Sequence, residues 1–210
     1  MTLPTLDFET YSEAGYVWDI EANKWAALPG APSGKKGLPV VGAAVYATHP
    51  STEVLCLVYD LGYGRGPHLW VPGAWPPDDL FEYIRGGGLL EAWNSGFEHW
   101  IWNHVCVPRY GWPPLPQRQL RCAMAKARAH ALPGSLEKAG EVIGAVQRKD
   151  PDGKRLLKKF SMPRQPTAKD GRIRIRPDPT DPDTDALYRY CAQDIAAEAD
   201  ISARCPEVEG

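Results

Sequence analysis

The chain has 210 residues, 43% of them apolar, and a formal net charge of -2, which suits one domain with one substantial core. No run approaches the roughly 18 consecutive apolar residues of a membrane span, and no basic start leads into an apolar segment, so neither a spanning helix nor a secretory leader is expected and a cytoplasmic protein with no membrane partner is. Five cysteines, Cys56, Cys106, Cys122, Cys191 and Cys205, show no paired short spacing and read as reduced thiols, and His99, His104 and Cys106 lack the spacing of a closed zinc site.

The alternation Leu6-Asp7-Phe8-Glu9-Thr10 predicts a strand at 3–9 with Asp7 and Glu9 on one face. Two carboxylates that close are either a wet edge face or half of a divalent-metal site. The stretch 12–36 reads as an insert, and Pro29 to Gly37 as a loop within it. Val40 to Ala47 is expected to be a strand or a bent approach to one, Glu53 to Tyr59 a clear strand, and His68 to Val71 its short partner. Pro76 to Leu80 opens a helix that Gly86 to Gly88 stops. Leu89 to Trp93 is then a strand feeding Asn94-Ser-Gly and a helix from Phe97 to Val105.

Farther on, Gln117 to Ala131 is expected to be one long helix, and Ser135 caps another that ends at Gly144. Lys154 to Phe160 reads as a short basic helix and Pro163 to Asp183 as a loop that orders with substrate. Ala186 to Ala203 forms the last helix, with Leu187, Tyr190, Cys191, Ile195, Ala199 and Ile201 as its apolar stripe. Strands early and helices late imply an α/β mixed sheet flanked by helices.

Charge is unevenly spread: residues 1–100 carry 5 Lys/Arg against 12 Asp/Glu, and residues 101–210 carry 19 against 14. Within the basic, flexible region 147–183, residues 147–176 hold 11 Lys/Arg against Asp150, Asp152 and Asp170. Beside a cluster of acids, such a segment suits a polyanion gripped in one place and cut in another. Glu98, near a helix start, and Tyr190 with Asp194, stacked at i,i+4, can join Asp7 and Glu9. Four such acids need counter-charge, which two divalent ions about 3.5–4 Å apart would supply while acidifying a water and stabilising a leaving oxygen. Tyr190 would orient that water.

Asp7-Phe8-Glu9 and Tyr190 to Asp194 match the first and third motifs of the DEDD superfamily of 3'-to-5' exonucleases, which has a ribonuclease-H-like fold, and the chain resembles its tyrosine branch. Arg189 stands where the histidine branch has its histidine. The second motif ends in Glu98 instead of aspartate, which is similar to the proofreading domains of phage-encoded family A DNA polymerases. Thr48 to Cys56, Ala129 to Gly140 and Lys154 to Arg164 echo the same group.

The resemblance implies a single exonuclease domain over 1–210, apart from its insert, with Mg2+ or Mn2+ held by Asp7, Glu9, Glu98 and Asp194. Its substrate would be a single-stranded DNA 3' end, shortened by one nucleoside 5'-monophosphate per cycle. Phe8, Thr10, Asn94 and Phe97 are candidates to contact the terminal nucleotide, and Lys154, Arg155, Lys158, Lys159 and Arg164 to contact phosphates. Trp102 or Trp112 could stack on a base. A monomer in the host cytoplasm is expected, either free-standing or joined to a polymerase domain outside this chain. An RNA-trimming enzyme and a binding module with a degraded site use the same motifs.

Overall fold

The structure, a computed structural model, describes residues 3–145 and 152–207. The start of the basic stretch, 147–151, and the last residues of the chain, 208–210, lie outside the described residues.

Strand β1 (Thr5–Tyr11) leads into a hairpin, β2 (Tyr16–Asp19) and β3 (Lys24–Ala27), and then into α1 (Leu38–Thr48). The region read as strand-like, Val40 to Ala47, is therefore helical. Its Ala and Val run has no strict alternation, and Gly42, at φ 75°, breaks the helix so that Tyr46 turns inward to bond Thr10 Oγ1 at 3.0 Å. Strands β4 (Glu53–Asp60) and β5 (His68–Trp70) follow as expected, and α2 (Asp78–Arg85) starts with Asp78 and Asp79 at the positive end of its dipole.

Strand β6 (Leu90–Ala92) runs into α3 (Ser95–Ile101), which continues through a wide π turn at Trp102–Cys106 into α4 (Val107–Tyr110). Pro108 has no amide hydrogen to give, and the wide turn before it accommodates that loss. The single helix expected over 117–131 is instead a 3-10 turn at Gln117–Gln119, strand β7 (Leu120–Cys122) and α5 (Ala123–Ala129). Three residues are too few to show a period. What holds them is pairing with β6 and the Gln119 amide, which donates to the Ile84 and Gly88 carbonyls at 2.8 and 2.9 Å. Helices α6 (Leu136–Ile143), capped by Ser135 and ended at Gly144, α7 (Gly153–Phe160) and α8 (Pro182–Arg204) complete the chain.

The central sheet runs β5-β4-β1-β6-β7, antiparallel from β5 through β1 and parallel from β1 to β7. Helices cover both faces. Leu6 and Phe8 point into a core with α2, the Ser95–Tyr110 helix, Trp70 and Trp112, while Tyr11, Leu55, Cys56 and Val58 meet α7 and α8. Trp102 and Trp112 are 0% and 3% exposed and pack at 4.8 Å, so neither has a face for a base.

The insert closes on itself where Gly15 meets Gly37: a Cβ on Gly15, whose φ is 83°, would lie 2.6 Å from the Gly37 nitrogen. Its outer strand is tied to the loop after α7, because Trp25 N–H donates to Gln165 Oε1 and Gln165 Nε2 donates back to the Trp25 carbonyl, at 2.9 and 2.7 Å. The same loop is held farther on by Arg174, which lies 3.8 Å from the Tyr11 ring centroid and 2.7 Å from Glu53. This loop has fixed partners within the chain.

Arg174 holds the Glu53 carboxyl below its ordinary value of 4.5. A carboxylate with a depressed folded value contributes stability above its unfolded value and loses it as pH falls through the folded one. Arg174→Ala is expected to destabilise the domain by about 1 kcal/mol at pH 7, chiefly through the lost ring contact. The gap to wild type should narrow as pH falls below about 4.5 in denaturant titrations.

Candidate metal centre

Alternation on β1 turns Asp7, Glu9 and Tyr11 toward α8, and a bulge shifts the β1–β4 register between Glu9 and Thr10, re-aiming the strand where the acids sit. Helix α8 is anchored at its start by Asp181, which accepts from Asp183 N–H, and docks on β4 through Cys191 and Ile195 against Cys56 and Val58. Its i,i+4 stripe then presents Tyr190, Asp194 and Glu198.

The compact donor set is Asp7, Glu9 and Cys191, whose ligand atoms lie within 4.8 Å of one another. Such a set can coordinate a metal ion. The Cys191 thiol donates to Asp7 Oδ2 at 3.3 Å and to its carbonyl at 3.5 Å. Glu98 and Asp194 stand outside this set but act on the same place. Asp194 is 8% exposed and bonds the Tyr190 hydroxyl. Burial above all, then Asp194 and Glu9, raise the Tyr190 pKa, so the phenol stays protonated and serves as a donor.

Glu98 is 4% exposed, and its Oε2 is buried with no hydrogen-bond partner. Burial first and Asp7 second push its carboxyl well above the usual range. Glu198, 2% exposed, is alike: its Oε1 is buried with no partner, and burial followed by Glu91, Glu98 and Asp7 raises its pKa. Buried acids that repel one another, Glu98 and Glu198 each with an orphaned oxygen, fit a cation that would supply the missing charge.

In the sequence Cys191 reads only as a docking residue, and Glu198 does not stand out. The signal for Glu198 was its place one turn beyond Asp194. For Cys191 there was only adjacency to Tyr190.

Among the other candidates, Phe8, Thr10 and Phe97 line a cavity of about 320 Å³ beside Glu9, closed by Lys36 and Leu38 from the insert side and Met162 beyond α7. Asn94 is exposed and flanks α3 without capping it. Lys154 and Lys158 are exposed. Arg155 and Lys159 instead bind Asp183, Lys159 also Asp181, at 2.6–2.7 Å, and Arg164 binds Asp170 at 2.7 Å. Much of the basic excess therefore has partners within the chain.

No protein-family profile matches the chain. Over 173 residues it is 30% identical to a DNA polymerase of Bacillus phage SP02, a match that takes in 80% of this chain and 26% of that protein. The chain is thus distantly related to a phage DNA polymerase and spans about a quarter of the length of the curated relative it matches. Among the described residues no helix is long and apolar enough to cross a membrane.

Tyr190 is held from the α7 side by Gly153, where a Cβ would lie 2.2 Å from the ring. Gly153→Ala is expected to cost about 1–3 kcal/mol in denaturant unfolding by overpacking the phenol. A matched substitution at exposed Lys154 should cost less than about 0.5 kcal/mol.

Proposed function

We propose that this chain is a metal-dependent 3'-to-5' exonuclease domain that removes nucleoside 5'-monophosphates from single-stranded DNA ends, proofreading for a polymerase domain outside this chain in the host cytoplasm. The observation that carries this reading is the convergence of Asp7 and Glu9 from β1 with Tyr190 and Asp194 from α8, beside the buried Glu98. The sheet order supports a ribonuclease-H-like fold: an antiparallel run ending on the acid-bearing strand, then parallel strands beyond it. Similarity to a phage DNA polymerase supports the substrate class.

Asp7, Glu9, Glu98 and Asp194 would hold Mg2+ or Mn2+. When bound, the ions supply charge neutralisation at the scissile phosphate and an acidified water. Tyr190, kept as a neutral phenol and hydrogen-bonded to Asp194, orients the attacking water. Cys191 fixes the Asp7 carboxylate by its thiol hydrogen bond. The cavity beside Glu9 accepts the terminal nucleotide against Phe8, Thr10 and Phe97, with Lys36 at its rim. Exposed Lys154 and Lys158 meet phosphates farther along the strand.

The test is digestion of 5'-labelled single strands with Mg2+ or Mn2+, in which stepwise shortening is expected. Asp7→Ala and Asp194→Ala should abolish turnover with loss of metal binding, whereas Tyr190→Phe should keep the metal and slow the reaction by about 10²-fold or more. Equal loss of metal affinity in all three would reject the role given to Tyr190. Tight binding of DNA without cleavage would identify a module with a degraded site, and preference for RNA ends would reassign the substrate.

A further inference from the structure

Glu198 lies on α8 one turn past Asp194, and the fourfold acid set has no place for it. It is among the most buried charged side chains described, at 2% exposure, and the groups acting on it, Glu91, Glu98 and Asp7, are all acidic. Charged groups are seldom buried among like charges unless a cation joins them.

Its closest counterpart is Glu98. Both are buried, at 2% and 4% exposure, and the Asp7 carboxylate acts on both. In both, one carboxylate oxygen is buried without a hydrogen-bond partner. These buried oxygens are left as acceptors that no protein donor fills. A hard divalent cation, which takes carboxylate oxygen, has that chemistry.

We propose that Glu198 is a fifth carboxylate of the metal centre, sharing one divalent cation with Glu98. The inference rests on the metal-dependent reading above. It gives a reason for glutamate at position 98: the ion held there is reached from α3 on one side and from a second glutamate on α8 on the other. Glu198 also lies near the end of β6, since the backbone that acts on it belongs to Trp93, the residue directly after that strand.

The test uses Mn2+ binding to the full chain, measured by calorimetry and by the spin-resonance signal of free Mn2+, together with melting of the metal-free and Mn2+-saturated protein. Glu198→Gln keeps the shape and removes the charge. It should weaken Mn2+ binding by at least about tenfold, raise the melting point of the metal-free protein by relieving repulsion, and shrink the rise that Mn2+ gives. Glu198→Asp, which keeps the charge on a shorter arm, should fall between wild type and Glu198→Gln, and it decides the matter if the glutamine variant does not fold. A Glu198→Gln protein that binds Mn2+ as wild type does, while Asp7→Ala does not, overturns the role of Glu198 and leaves the rest of the site standing. Wild type that takes up no Mn2+ overturns the metal-dependent reading together with it.

Discussion

Everything in this domain depends on the seating of α8 across β1 and β4. The helix must bury Leu187, Cys191 and Ile195 against the sheet to be stable, and that register also brings Tyr190, bonded to Asp194, beside Glu9 and Asp7, with Glu198 facing Asp7. Apolar burial thus forces acids into proximity that their charges oppose. Burial first, and the neighbouring acids after it, raise the carboxyl values of Glu98 and Glu198.

The surroundings reduce the freedom of those acids. The thiol of Cys191 holds Asp7, Asp194 holds the Tyr190 hydroxyl, and the bare Gly153 lets α7 press on the Tyr190 ring. Lys159 and Arg155 fasten α7 to the start of α8 through Asp181 and Asp183, so the wall that supports Tyr190 and the helix that carries it move together. On the far side, the insert is clasped to the loop after α7 by the Trp25–Gln165 pair and forms part of the cavity beside Glu9. A segment that reads in sequence as an unplaced excursion is part of the cleft.

Sequence carried far where local chemistry repeats. The period of two in Leu6 to Thr10, the cap at Ser135 and the i,i+4 pair Tyr190 and Asp194 all have local causes and appear as expected. It failed where a long-range partner decides. Leu120–Cys122 is a strand because β6 lies beside it, Leu38–Thr48 is a helix in spite of its β-branched residues, and Arg155 and Lys159 face Asp181 and Asp183, which lie beyond the stretch 147–176. Glu198 was invisible for the same reason: its meaning comes from Trp93 and Glu98, about a hundred residues earlier.

The thiol contact between Cys191 and Asp7 spans 184 positions of the chain. Asp7 is synthesised well before α8, so a nascent or truncated chain lacking that helix holds no assembled site. The acids of β1 are left without their α8 partners until that helix docks, a delay that comes from connectivity alone.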